Sequence, residues 1–277
     1  MTNDRDIAGH YSQGKLLQRL TAALAGDGVD AAHPTIDALR PYDQFHGRGF
    51  EATVEMADSL EVAATDRLLD VGSGIGGPAR YFAHRYGCAV TGIDLTAEFC
   101  DVARVLTRWV GLDGKVAFQC GNALAMPFAN DHFDGAYSMN VSMNISDRAG
   151  LYRETHRVLK PGGWLMLSEL AKGAGGELDY PTPWANTADT SFLSTPEETQ
   201  QGLVDAGFDV VRLHDTLEKT LTSIAATRAM VERGEQPPHR AVQLIHGDSA
   251  KQAMANTARG LTEARIVPIE VLCTKRR

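Results

Sequence analysis

The run Leu68-Leu69-Asp70-Val71-Gly72-Ser73-Gly74-Ile75-Gly76-Gly77 constrains this chain more than any other stretch. A short apolar segment ends in a cluster of glycines and opens into the helical pattern Pro78–Tyr86. It reads as a buried parallel strand, then a turn too tight for side chains, then a helix whose first backbone N–H groups are free to face a ligand. A nucleotide-type site is therefore expected at the carboxyl end of this strand.

Gly72, Gly74 and Gly77 satisfy the dinucleotide spacing G-x-G-x-x-G, a pattern with many false matches when it stands alone. Asp70 argues in another direction. A carboxylate two residues ahead of the first glycine would repel a pyrophosphate and welcome a cationic amino group. Downstream, Ala89-Val90-Thr91-Gly92-Ile93-Asp94 forms a second buried-strand pattern that ends in an acid, about 20 residues past the glycines, as a ribose-binding acid would be. Asp94 could accept hydrogen bonds from both ribose hydroxyls of a dinucleotide or of S-adenosylmethionine.

With these residues the chain resembles the class I S-adenosylmethionine-dependent methyltransferases. The resemblance rests on Asp70–Gly76, Gly92-Ile93-Asp94, Gly121-Asn122-Ala123 and Arg157-Val158-Leu159-Lys160-Pro161-Gly162-Gly163, and it covers roughly residues 40–215. It implies S-adenosyl-L-methionine as cofactor, held by Asp70, Gly72, Ser73, Gly74, Gly76, Asp94, Leu95, Asn122, Ala123 and Asn140. In the family an Asp usually stands where Asn122 does and reads the adenine; an Asn can still accept through its carbonyl oxygen. The segment Arg40–Phe50 is rich in polar and aromatic groups, and in the family this region lies beside the methionine end of the cofactor and the acceptor. Tyr42, Gln44 and His46 are thus candidates for substrate or cofactor contact, with His46, Tyr42 and Asn144 as catalytic candidates. Many relatives carry a His near Asn144; an amide here weakens proton abstraction at that position. The nearest subgroup by resemblance is the small-molecule methyltransferases of the sarcosine and dimethylglycine type. An NAD-linked oxidoreductase and a non-catalytic nucleotide-binding relative remain as alternatives.

The 277 residues suffice for a full core and suggest one elaborated domain. A net charge of −8 without a basic run argues against nucleic acid or an anionic membrane as the main partner. Cys88, Cys100, Cys120 and Cys273 form no C-x-x-C pair, so they read as reduced core thiols of a cytoplasmic protein. No run of about 18 apolar residues occurs, and the start Met1–Asp6 lacks a basic segment followed by an apolar one. No His, Asp or Glu cluster has metal-ligand spacing. A small-molecule substrate and a monomer or homodimer are expected.

In chain order, Leu16, Leu17, Leu20 and Leu24 lie at helical spacing, Gly26-Asp27-Gly28 stops that helix, and a second runs from about Pro34 to Leu39. Residues 1–60 are expected to form a helical lid segment, with the methyltransferase domain over 61–277. A helix over Glu51–Leu60 precedes the first strand. Then come Ala89–Asp94, a helix from Ala97 to about Val110, Val116–Gln119, Phe133–Ser138, a helix over Gly150–Leu159, a tight turn at Lys160–Gly163 and Trp164–Glu169. This alternation specifies a Rossmann-like, doubly wound α/β sheet of seven strands, mostly parallel with an antiparallel last strand. Met139–Ile145 falls at the carboxyl edge, which makes Met143 a substrate candidate beside Asn140 and Asn144. Residues 172–195 lack periodicity, and their Tyr180 and Trp184 could wall an acceptor pocket. Thr195-Pro196-Glu197-Glu198 starts another helix. Asp209–Leu213 and Arg265–Cys273 are the last two strands, expected to form an antiparallel edge, and residues 217–260 between them are expected to form two helices around Pro237-Pro238. Arg48, Arg108 or Arg148 could pair with a substrate carboxylate.

Overall fold

The structure is a computed structural model that describes residues 9–11 and 14–276. Expectations about Met1–Asp6 lie outside the described residues.

Seven strands form one sheet in the order β3-β2-β1-β4-β5-β7-β6. They are β1 (Arg67–Val71), β2 (Ala89–Asp94), β3 (Val116–Cys120), β4 (Phe133–Met139), β5 (Leu159–Lys172), β6 (Phe208–Asp215) and β7 (Ile266–Lys275). The pairs β1·β2, β2·β3, β1·β4 and β4·β5 are parallel, whereas β7 is antiparallel to both β5 and β6. The last strand thus inserts next to the edge, and β6 is the edge itself. β5 begins earlier than its sequence pattern suggests, because Leu159 already pairs with Phe133 ahead of a register shift at the glycines.

Strand alternation divides the core. Leu69, Val71 and Leu167 face one side, and Leu68, Val90 and Met166 face the other. The first side packs against α6 (Arg148–Val158) and α7 (Pro196–Asp205). Thr195 caps α7 by accepting from Glu198 N, while the Glu198 side chain accepts from Thr195 N. The second side is covered by α3 (Phe50–Asp58) and α4 (Gly77–Tyr86), and α5 (Ala97–Trp109) contributes Ala103.

Above the carboxyl edge lie α1 (Leu16–Gly26) and α2 (Ile36–Asp43), together with three helices inserted between β6 and β7. The insertion holds α8 (Leu217–Glu232), α9 (Ala241–His246) and α10 (Ala250–Thr262), one more helix than expected. Gly247, at φ 56°, separates the last two. Leu16, Leu20 and Leu24 anchor α1 in a buried cluster with Leu39, Phe99 and Leu244. Each such leucine contributes roughly 1.5–3 kcal/mol through burial. The N-terminal segment and the insertion therefore share one cover.

A fully buried ion pair pins that cover to the helices on the sheet. Asp43, at the end of α2, accepts from Arg80 of α4 at 2.8 Å, with side-chain exposures of 2% and 0%. Arg80 also donates to Thr107 Oγ1 at 3.2 Å, and the second Asp43 oxygen accepts from Gln44 Nε2 at 2.8 Å. Asp43→Ala leaves the guanidinium buried without its anion. A loss of about 3–5 kcal/mol is expected in chemical denaturation, because the surviving charge keeps its desolvation cost.

Candidate active site

β1 lies between β2 and β4, so their helical connections leave on opposite sides and a crevice opens at the carboxyl ends. The glycine turn is stitched to β2: Gly72 N and Ser73 N both donate to Ile93 O, at 2.8 and 3.1 Å. Gly74 N donates to Asp94 Oδ2 at 2.8 Å, and Thr96 N donates to the other Asp94 oxygen at 2.8 Å. Burial nonetheless raises the Asp94 carboxyl above its usual range.

Two cavities meet above this edge. The first, of about 240 Å³, is lined by Asp70, Ser73, Asp94, Leu95, Asn122 and Asn144, among others. The second, of about 810 Å³, lies under α8 and α10. Tyr11, Phe45, His46 and Asn140 line both, which places them at the junction.

Two polar atoms in the first cavity are buried without partners, Asp70 Oδ2 and Ser73 Oγ. Burial pushes the Asp70 carboxyl up to about 8, although the neighbouring Tyr137 hydroxyl, too poorly placed to count as a full hydrogen bond, favours the anion. An orphaned carboxylate oxygen is costly unless a ligand satisfies it, and a cationic amino group is the natural complement. The cavity therefore fits an adenosyl amino acid: an acid beside the glycine turn, an acid at the tip of β2, and Asn122 after β3. Asn122 Oδ1 here accepts from Leu124 N at 2.8 Å.

The remaining candidates divide. Gly72, Gly74, Ala123 and Asn140 line the first cavity, whereas Gly76, at φ 83°, forms the N-cap of α4 behind it. Asn140 adopts φ 57° and donates its N–H to Ser168 O at 2.8 Å, so the chain turns sharply there and does not begin a helix. Met143 and Trp184 line the second cavity, and Trp184 Nε1 donates to Ser191 Oγ at 2.9 Å. Tyr180 lines neither cavity and packs at the edge of the cluster around Trp184 and Leu261.

Tyr42 is also absent from both cavities: its hydroxyl donates to Asp27 Oδ2 at 2.6 Å, and Arg240 lies over its ring. The helical face it occupies points toward α1. Gln44 stands behind His46, its Oε1 accepting from Thr53 Oγ1 at 2.7 Å. His46 Nδ1 lies 3.2 Å from Gly47 O and Nε2 3.1 Å from Thr53 Oγ1, and since the Thr53 proton goes to Gln44 Oε1, the single N–H of a neutral ring serves one of these two acceptors. Burial, with the neighbouring His239 and Arg48, pushes its pKa down to about 3, so the ring is neutral. Asn144 Oδ1 accepts from Tyr11 Oη at 3.2 Å and ties the N-terminal segment across the first cavity.

No arginine singled out from the sequence offers a free cation to a substrate. Arg48 is held by Glu55, Arg148 donates to Phe192 O, and Arg108 is exposed on α5 outside both cavities. Sequence reasoning missed Tyr11, Glu169 and His239. Glu169 had a usable signal, since it ends the apolar part of β5 at the same sheet edge. It accepts from Val141 N and Ser142 N at 3.2 Å each and lines the second cavity. Among the described residues no group of three or more His, Cys, Asp or Glu could hold a metal ion, and no helix is long and apolar enough to cross a membrane.

Fold and crevice together define a nucleotide-binding transferase built on an open α/β sheet. A family model described as a methyltransferase domain matches residues 69–167. Methyltransferase GfsG of Streptomyces halstedii is 30% identical over 223 residues, covering 78% of this chain and 77% of that protein. Geranyl diphosphate C-methyltransferase from Streptomyces coelicolor A3(2) superposes with a TM-score of 0.71 at 18% identity, over 99% of this chain and 98% of that one. The cyclase SpnF has a TM-score of 0.66 at 24% identity, over 95% and 93%; these two likenesses concern the fold. The chain belongs to the class I S-adenosylmethionine-dependent methyltransferases, enzymes whose cofactor is S-adenosyl-L-methionine. An NAD-linked oxidoreductase finds no support in these relatives.

Two glycines should separate turn geometry from ligand space. Both have positive φ, 73° at Gly72 and 52° at Gly74. A Cβ at Gly72 would lie 2.3 Å from Val141 Cγ2, whereas one at Gly74 meets nothing within 4 Å. Gly74→Ala should cost the ~1–2 kcal/mol of left-handed backbone alone. Gly72→Ala should cost a further ~1–3 kcal/mol of overpacking, read as a lower urea midpoint.

Proposed function

We infer that the first cavity holds S-adenosyl-L-methionine and the second the methyl acceptor, a small molecule with an amine or hydroxyl at the junction. The observation that carries this is Asp70 Oδ2, buried without a partner beside the glycine turn. Asp70 receives the ammonium of the methionine end, and the N-terminal N–H groups of α4 face its carboxylate. Asp94 keeps lone pairs for the ribose hydroxyls after accepting from Gly74 and Thr96. Leu95, Asn122 and Ala123 flank the adenine.

When bound, the cofactor supplies an already activated sulfonium methyl group. The protein's share is then alignment and exclusion of water. Phe45, His46, Tyr11 and Asn140 form the collar between the cavities, where the acceptor atom must stand. His46, kept neutral by burial and set beside Gln44 and Thr53, shapes that collar and is a poor proton acceptor. The described residues through Asp43 act as a lid jointly with the insertion at 217–260, while α3 packs on the sheet. Four free cysteines, three of them buried, suit a reducing compartment such as the cytoplasm. A monomer or homodimer working without nucleic acid agrees with the acidic charge of −8.

Titration calorimetry with S-adenosylhomocysteine tests the assignment. Asp94→Ala should weaken binding by ~1–3 kcal/mol, since buried ribose hydroxyls lose their acceptor. Wild-type affinity in that variant removes Asp94 from the site.

The pH profile tests Asp70. The folded carboxyl titrates near 8, raised from 3.8, so below that pH the free enzyme holds the carboxyl protonated. Binding an ammonium requires the anion, so a proton must leave. Affinity should therefore rise by about tenfold per pH unit between about pH 6 and 8, with one proton released, and level off above. Asp70→Asn should bind more weakly and lose this slope; an unchanged slope in that variant assigns the titration to another group.

A further inference from the structure

We propose that the acceptor is bulky, uncharged and oxygen-bearing, and that α8 is the element that recognises it. This rests on the reading of the second cavity as the acceptor site.

Size is the first argument. At about 810 Å³ the cavity lies toward the upper end of the volumes that hold small ligands. A glycine derivative or a short phosphoamine would leave most of it to water, beside Trp184, Val242, Met254 and Leu261.

Charge is the second. Six ionic side chains line the cavity: Asp37, Arg40, Arg48, Glu51, Glu169 and Arg228. Arg40 is paired with Asp37 at 2.6 Å and lies 4.0 Å over the Phe50 ring. Arg48 donates to both oxygens of Glu55, at 3.1 and 2.8 Å, and its side chain is only 5% exposed. Arg228 is paired with Glu232 at 3.0 Å. Glu169 is satisfied by two backbone N–H groups, and Glu51 is exposed at the rim. His46 and His239, their pKa values pushed down to about 3 and about 4 by burial, add no positive charge. The three guanidiniums are thus each matched by a carboxylate, with Arg40 Nε the buried donor left unpartnered, so an acceptor bearing a carboxylate or phosphate would have to displace one of these partners to gain a full ion pair.

The third argument is the polar pattern of α8. Thr216, Thr220, Ser223 and Thr227 line the cavity at spacings of four, three and four residues, which places their hydroxyls in one row along the helix. Ile224 stands in the same wall, and Thr257 lines the cavity from α10. Thr216, the N-cap of α8, and Thr257 already donate to Pro268 O and Ala253 O and are left as acceptors; with Thr220, Ser223 and Thr227, set among apolar side chains, they complement scattered hydroxyl and carbonyl oxygens on a large apolar skeleton. Hydroxylated steroids and macrolactones have that chemistry.

The test begins by titrating the full-length enzyme with S-adenosylhomocysteine. The loaded enzyme is then titrated with a panel of neutral hydroxylated steroids and macrolactones, and with sarcosine, phosphoethanolamine and geranyl diphosphate. Transfer of label from S-adenosylmethionine is followed in parallel. Neutral bulky members should bind at least tenfold more tightly than any charged one and should be the ones labelled. Ile224→Trp, which fills the cavity from a residue 36% exposed, should weaken their binding at least tenfold with S-adenosylhomocysteine affinity unchanged. Thr220→Val, which keeps the shape and removes one hydroxyl, should weaken it several-fold. Preference for a charged acceptor, binding of no neutral member, or insensitivity to both substitutions overturns the substrate class and leaves methyl transfer standing. Failure to bind S-adenosylhomocysteine at the first step overturns the methyltransferase site itself.

Discussion

The buried pair Asp43–Arg80 is the interaction on which the geometry of the site depends. Arg80 belongs to α4, the helix that opens from the glycine turn, and Asp43 ends the helix that begins the cover. The backbone follows the side chains: a Cβ at Gly77 would lie 2.1 Å from Asp43 O, so cover and turn touch at main-chain distance. From that fixed point the next residues run in hydrogen-bonded sequence, Gln44 to Asp43, Thr53 to Gln44 and His46 beside Thr53. A buried ion pair is a costly way to gain stability, since both charges forgo water. Its value here is directional. Two apolar helices could slide over one another, whereas a guanidinium that also reaches Thr107 and the Ala103 carbonyl has one seat.

Three buried carboxylates stand along the carboxyl edge, and their differing partners sort their tasks. Asp94 accepts from two backbone N–H groups and so holds the glycine turn against β2. Glu169 accepts from Val141 and Ser142 and so holds the loop after β4. Asp70 alone among the three keeps an oxygen buried without a partner. Burial raises the pKa of all three, but only for Asp70 does an incoming cation remove an unmet demand. The repulsion between a carboxylate and a diphosphate, which set this turn apart from a dinucleotide site in the sequence, reappears as an electrostatic vacancy of defined sign.

The sheet was legible because its signals are local. Strands such as Leu68–Val71 and Ala89–Asp94 are short apolar runs, the glycines mark the turn, and Thr195-Pro196-Glu197-Glu198 announces a helix through capping chemistry that needs no tertiary partner. The second cavity was legible only in part. Met143 and Trp184 could be singled out from the segments they stand in, whereas Arg40, Thr220, His239 and Met254 come from four further segments whose only shared property is where they meet. Thr220 and Ser223, on a helix whose apolar residues are not gathered on one face, look like solvated surface until another helix closes over them. Tyr42 failed for a related reason. Its place beside the acceptor followed from the segment it belongs to, yet side-chain direction on a helix is set by rotation about the axis. One residue decides between cavity and core, and Asp43, the next along, faces the cavity instead.

Cover and catalysis are linked by where the covering segments sit in the chain. The cluster that seats Leu16, Leu20 and Leu24 also contains Leu244 and Ile245 of the insertion and Ile75 of the glycine turn. Arg240, just ahead of α9, donates to both oxygens of Asp27 just after α1, at 2.9 and 2.7 Å. The N-terminal segment and the insertion are therefore tied to one another, and neither can lift alone without breaking that ion pair. Tyr11, hydrogen-bonded to Asn144 and edge-on to Phe45, is a contact of the N-terminal segment with the first cavity. A sulfonium must be kept from water until the acceptor is seated. On the proposed reading, a lid assembled jointly from the N-terminal segment and the insertion would meet that requirement, because Tyr11, Phe45 and His46 of the N-terminal segment line both cavities.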